Sequence, residues 1–303
     1  MSMDQIKIGT RGSKLALIQT RLVSDALNRR NSQLKIEPVV IKTEGDKNMA
    51  PIPLDTVGKA WFTAEIDRAL KTGTIDMAVH SLKDLPLTLD PDFAMITVLK
   101  REDPRDVLIS KTGETLEQLP AAATIGTDST RRRALLLHQR PDLNVDSLRG
   151  NVQTRLRKLA EGDCDAIILA AAGLRRLDEA NKVTQFLDSA TFIPSVGQGA
   201  LAVVTRMEHA DLLGLLRHIE DSDTVITTNA ERAFATAIGG SCKMPVGCHA
   251  TLKASQIHLY AIVADATGLK IHFDRINGPE AEATSLARAL GERMMASCGF
   301  ALH

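Results

Sequence analysis

Ile75-Asp76-Met77-Ala78-Val79-His80-Ser81-Leu82-Lys83-Asp84-Leu85-Pro86 is the stretch on which the fold turns. Ile75–Val79 is too short for a helix and reads as a buried strand. It runs out into a polar turn that places a lysine and a carboxylate side by side, with Pro86 ending the element. Ligands of open α/β sheets bind beyond the carboxyl ends of their strands. A charged turn at such an end is therefore a candidate site, with a solvated turn as the alternative. Upstream, Ile6–Thr10 and Leu34–Lys42 read as two further strands, with helices from Ser13 and from about Phe62 between the three. In the first helix Leu15, Ile18, Leu22 and Ala26 recur at helical spacing, which gives an apolar stripe to pack on a sheet. This is βαβ grammar. Thr43 to Asp55, rich in polar residues with Gly45, Pro51 and Pro53, is expected to be a flexible loop near a cleft.

The alternation restarts after Asp103-Pro104-Arg105, where proline disfavours helix and marks a hinge. Val107–Ile109, Ala123–Thr127, Asn144–Leu148 and Asp165–Ala170 read as strands, with helices from Ser129, Asn151 and about Ala172, and a second parallel layer is expected. Ala200–Thr205 supplies one more strand that could return to either layer. From Ser222 the pattern changes to a long helix through Ile238, a Gly239-Gly240-Ser241-Cys242 loop, three strands between His249 and Ile276, and a last helix from Pro279. That is a small α+β domain.

The chain has 303 residues, 44% of them hydrophobic and 24% charged, enough for two or three cores. Lys plus Arg and Asp plus Glu both number 37, so no overall field draws it to nucleic acid or an anionic membrane, and aromatics at 3% leave few stacking platforms for bases. No apolar run is long enough to span a bilayer and no signal peptide is apparent, so a cytoplasmic location is expected. Cys164, Cys242, Cys248 and Cys298 form no CxxC and lie near no histidine cluster, so neither zinc nor a disulfide framework is indicated.

Arginines carry the second signal. Arg131, Arg132 and Arg133 occupy the first turn of the helix capped near Ser129, Arg149 ends a strand before Gly150, Arg155 lies on the next helix, and Arg175 and Arg176 follow Gly173. Cations at a helix N-terminus oppose the macrodipole. A bound polyanion would reverse that cost, so Thr127–Arg132 is expected to hold carboxylates or phosphates on planar forks and backbone amides. Neutralising Arg131 or Arg132 is then expected to cost the fold little, or even to stabilise it. Arg11, in Thr10-Arg11-Gly12-Ser13, repeats the arrangement in the first layer. These residues describe two α/β units and an anion-binding cleft, which solute-binding proteins and regulator effector domains also share.

Nine motifs in series choose among these. Thr10-Arg11-x-Ser13-x-Leu15-Ala16, His80 through Pro86, Arg101-Glu102-Asp103-Pro104-Arg105-Asp106 and Gly126-Thr127-x-Ser129-x-Arg131-Arg132 lead the set. Leu148-Arg149-Gly150-Asn151-Val152-x-Thr154-Arg155, Asp165 through Ala170 and Gly173-Leu174-x-Arg176-Leu177 continue it. Val196-Gly197-Gln198-Gly199-Ala200 and Cys242-x-x-Pro245-Val246-Gly247 complete it. Over nearly its whole length the chain thus resembles the porphobilinogen deaminases.

The resemblance implies an α/β fold of two periplasmic-binding-protein-like domains, 1–99 plus 200–218 and 105–193, with a small α+β domain, 222–303. It implies a monomeric transferase, with no nucleic-acid or membrane partner, that condenses four porphobilinogens on a dipyrromethane cofactor and releases hydroxymethylbilane. By the same comparison the cofactor hangs by a thioether from Cys242, and Asp84 is the catalytic carboxylate. Lys83, Thr127, Ser129, Arg131, Arg132 and Arg155 match cofactor-binding positions. Arg11, Ser13, Arg149, Arg176, Gln198 and Lys59 match substrate-binding ones, and no metal is implied. The chain departs from the family pattern at Val57-Gly58-Lys59-Ala60, where two glycines are lost, at Ser241 for glycine, at Thr130 for leucine, and at Glu44 for a basic residue.

Overall fold

The computed structural model describes residues 5–43, 63–239, 245–265 and 267–299. Along the chain these form β1 (Gln5–Thr10), α1 (Lys14–Arg30), β2 (Lys35–Val40), α2 (Ala64–Lys71), β3 (Met77–Ser81) and β4 (Phe93–Val98). Then come β5 (Asp106–Ser110), β6 (Thr124–Gly126), α3 (Thr130–Gln139), β7 (Asn144–Asp146), α4 (Val152–Glu161), β8 (Ala166–Ala170), α5 (Ala171–Arg176) and β9 (Gln185–Phe186). The chain closes with β10 (Leu201–Arg206), α6 (Ala210–Arg217), α7 (Ser222–Ala237), β11 (Val246–Lys253), β12 (Gln256–Ala264), β13 (Ile271–Pro279) and α8 (Ala283–Ser297). The loop expected over Thr43 to Asp55, apart from Thr43, lies outside the described residues.

The residues cluster into two units, one of 1–102 with 199–225 and one of 103–198 with 226–303. The first unit holds a five-stranded sheet in the order β2-β1-β3-β10-β4. β1 runs parallel to β2 and β3, while β10 is antiparallel to β3 and to β4. Strand β10 thus joins this layer, and the sheet is mixed. Period-two alternation fixes its faces. Leu201 and Val203 turn toward the α1 and α6 side with Ile8, Val23, Leu27 and Leu216, whereas Ala202 and Val204 turn toward the α2 side with Ile66 and Leu70. Residues this well buried contribute heavily, since truncating a large core side chain to alanine costs about 2–5 kcal/mol. Pro38, which cannot donate to a ladder, lies on edge strand β2.

The second unit holds a sheet ordered β7-β6-β8-β5-β9. β6 is parallel to β7 and β8, but β5 is antiparallel to both β8 and β9, so the fully parallel layer expected from sequence is corrected to a mixed one. The reason is topological: β5 enters from the other unit, with no helical crossover to bring it in parallel. In both sheets the strands read second-first-third, then an antiparallel strand arriving from outside the local βαβ run, then an edge strand. This shared order is the periplasmic-binding-protein-like architecture. The unit also contains the antiparallel sheet β11-β12-β13, covered by α7 and α8 through Phe234, Ile238, Ala287 and Leu290. Ile262, on the opposite face of that sheet, joins the α3-side core with Leu135 and Leu136.

Candidate functional site

At the carboxyl end of β3 the chain tightens into a 3-10 turn, Leu82–Asp84. Buried Leu82 and Leu85 bracket this turn, and the Leu82 N–H donates to Ala200 O at 3.0 Å. Lys83 and Asp84 are thereby left exposed on a backbone pinned from both sides. Among the described residues the Asp84 carboxylate has no hydrogen-bond or ion-pair partner. Arg11 follows β1 at the same sheet end, and the Ser13 hydroxyl accepts the Ala16 N–H at 3.2 Å, capping α1.

Sequence reasoning did not single out His80, on the α2 side of the same strand end. It is 8% exposed, and Nε2 has no hydrogen-bond partner among the described residues. Burial, with Arg11 nearby, pushes its pKa down to about 4, so the ring is neutral at pH 7. Its signal in the sequence is a histidine closing an otherwise apolar strand.

In the second unit Ser129 caps α3, its hydroxyl accepting the Arg132 N–H at 3.4 Å, and Thr127 is buried beside it. The two arginines that follow turn inward. Arg131 and Arg132 are 4% and 6% exposed, and both meet Asp106, which is 0% exposed. Arg132 donates from Nε and Nη2 to Oδ1 at 3.0 and 2.7 Å and from Nη1 to Ile168 O at 2.9 Å. Arg131 Nη2 lies 2.8 Å from Asp106 Oδ2, and its Nη1 donates to Ile193 O at 2.6 Å. Burial raises the Asp106 pKa, but the two guanidiniums outweigh it and hold the carboxyl at about 2.

This arrangement corrects the stability expectation drawn from the sequence. The macrodipole cost at the start of α3 is answered by an internal carboxylate, so neutralising Arg132 removes hydrogen bonds to a buried charge and neutralising Arg131 removes an ion pair to it, and either costs the fold about 1.5–3 kcal/mol. Asp106, quoted only as the end of a motif, was given no role from the sequence, although an acidic residue opening the apolar strand Val107–Ile109 was its signal. Two guanidiniums against one carboxylate leave one positive charge in excess among these three groups.

Arg149, in the loop after β7, has Nε 3.3 Å from Asp128 Oδ2, and Arg155, on the first turn of α4, donates from Nε back to Gly150 O at 2.8 Å. Arg176 is half-buried on α5. Gln198 is 1% exposed, and its Nε2 donates to Pro104 O at 2.7 Å and to Asp106 Oδ1 at 3.0 Å. Lys59 and Cys242, with the departures at Glu44, Gly58, Ala60 and Ser241, lie outside the described residues.

Two family models match. That of the porphobilinogen deaminase dipyromethane cofactor binding domain covers residues 6–213, and that of the porphobilinogen deaminase C-terminal domain covers residues 225–296. The chain belongs to the porphobilinogen deaminase family. Among the curated porphobilinogen deaminases, that of Syntrophotalea carbinolica is 42% identical over 98% of this chain and 94% of its own. That of Roseiflexus castenholzii is 42% identical over 99% and 98%.

Among solved structures, the BenM effector binding domain with benzoate aligns with 78% of this chain and 94% of its own at 16% identity and a TM-score of 0.44. A Bordetella pertussis BvgS VFT2 domain covers 70% and 85% at 15% identity and a TM-score of 0.42. For a porphobilinogen deaminase the group to be held is dipyrromethane, and the donor set fits it. A carboxylate-rich ligand suits a buried guanidinium pair carrying excess positive charge.

Proposed function

We propose that the chain is a hydroxymethylbilane synthase, a transferase that joins four porphobilinogens head to tail with loss of four ammonia molecules and frees the product by hydrolysis. The observation that carries this is the Arg131–Asp106–Arg132 cluster, one positive charge in excess and nearly closed to water, in a chain of this family. Dipyrromethane, bound through a thioether to Cys242, would supply the nucleophilic pyrrole carbon that starts the chain.

Arg131, Arg132, Arg155, Lys83, Thr127 and Ser129 would hold its acetate and propionate groups, and Arg11, Ser13, Arg149, Arg176 and Lys59 those of the substrate, while Gln198, buried with its amide hydrogens on Pro104 O and Asp106 Oδ1, would act from behind them. Loss of ammonia from the aminomethylpyrrole leaves a cationic azafulvene, which surrounding arginines destabilise. Asp84, exposed and without a competing partner among the described residues, accepts the pyrrole N–H, offsets that field and moves protons. The domain division 1–99 plus 200–218, 105–193 and 222–303 belongs to this reading. So do a monomeric state, a cytoplasmic location and the absence of nucleic-acid partners. Among the described residues no helix is long and apolar enough to cross a membrane.

The test is the intact mass of the purified protein beside Cys242→Ser, each then incubated with porphobilinogen. An adduct of two linked pyrroles that Cys242→Ser lacks and that substrate extends stepwise supports the proposal. A chain that acquires no adduct from porphobilinogen or from preformed hydroxymethylbilane is instead a carboxylate-binding relative without the chemistry.

A further inference from the structure

Glu231 is a fully buried carboxylate that none of the roles above employs. It projects from the middle of α7, where Thr227, Ala230, Phe234 and Ile238 mark the buried helical face. Its Oε2 accepts the Gly197 N–H at 2.7 Å and its Oε1 the Ala250 N–H at 2.9 Å, with His249 Nδ1 3.5 Å from Oε1. A buried carboxylate that receives two backbone N–H groups fixes the backbone that donates them.

One of those donors leads directly to the arginine pair. Gln198, the next residue after Gly197, spends both hydrogens of its amide on Pro104 O and Asp106 Oδ1, and Asp106 holds both guanidiniums. Five residues before Gln198, Ile193 O receives the other end of the Arg131 fork. From the opposite side, β11 passes so close that a Cβ on Gly247 would stand 2.8 Å from Pro194 O and 2.9 Å from Ile193 O. The segment Ile193–Gln198 is therefore held on one side by α7 and β11, and on the other side it sets the positions of Arg131 and Asp106.

We infer that Glu231 is a positioning residue for Arg131. It acts through Gly197, Gln198 and Asp106, and the inference rests on the proposed porphobilinogen deaminase reading. Gln198 is by the same contacts a positioning residue, with its amide nitrogen saturated inside the protein.

The test uses the full chain produced in cells that make no porphobilinogen, supplied with preformed hydroxymethylbilane. Adduct formation is followed by intact mass at a temperature well below each variant's melting point. Glu231→Gln is expected to slow loading on the order of tenfold. The double variant with Arg131→Leu is expected to load no more slowly than Arg131→Leu alone, because the effect is transmitted through that arginine. Gln198→Met, which breaks the same path one residue further on, is expected to behave alike and replaces Glu231→Gln if the latter does not fold. Variants that load at the wild-type rate, or single effects that multiply in the double variant, overturn the inference. A wild-type chain that does not load at all defeats the function proposed above.

Discussion

Asp84 and Asp106 are both carboxylates at strand ends, and their surroundings give them opposite duties. Asp84 is exposed and bears on no core contact, so Asp84→Asn is expected to abolish turnover while urea denaturation shifts by no more than about 0.5 kcal/mol. Asp106 neutralises buried guanidiniums, so Asp106→Asn is expected to cost about 3–5 kcal/mol in the same measurement. The Asp106 pKa lies below the unfolded value of 3.8, so its contribution is complete above that pH and is lost as pH falls toward 2.

His80 works in the same direction at a milder pH. The folded ring takes a proton only near 4, whereas the unfolded chain takes one near 6.5. Stability is then full above 6.5 and erodes by up to about 3 kcal/mol between 6.5 and 4. His80→Gln is expected to flatten the pH dependence of unfolding in that window, and an unchanged slope would assign the loss to other groups.

At the scale of elements, β11 and the segment before Gly199 meet through a residue with no side chain. Gly247→Ala sets a methyl against two carbonyl oxygens that belong to backbone, so the strand or the segment must move. A loss of about 1–3 kcal/mol is expected, together with weaker carboxylate binding, because Ile193 O is one of the groups that seats Arg131. Calorimetry on the alanine variant measures the first and loading kinetics the second.

The elements themselves were largely legible. The apolar run before His80, the Ser13 and Ser129 caps and the Ser222–Ile238 helix follow from local periodicity and capping chemistry, which act within a few residues. The direction of β5 and the inward turn of Arg131 and Arg132 were not legible. Both depend on partners far along the chain, Ala170 for the strand and Asp106 for the arginines. A run of arginines on a helix start looks the same in one dimension whether its counter-ion is a ligand or a distant aspartate. Asp84 stood out because its turn is local.

For the whole molecule, the repeated strand order of the two sheets means that each depends on a strand from beyond its own βαβ run. In the first unit that strand is β10, wedged between β3 and β4 although roughly a hundred residues separate it from the end of β4. On a ribosome adding about 5–20 residues per second, β3 and β4 therefore emerge on the order of 5–20 seconds before their shared partner exists. During that interval each presents an unsatisfied ladder of backbone amides and carbonyls, the kind of edge on which nascent chains aggregate or recruit chaperones. The amino-terminal layer is made first and can close only after most of the second layer has been translated.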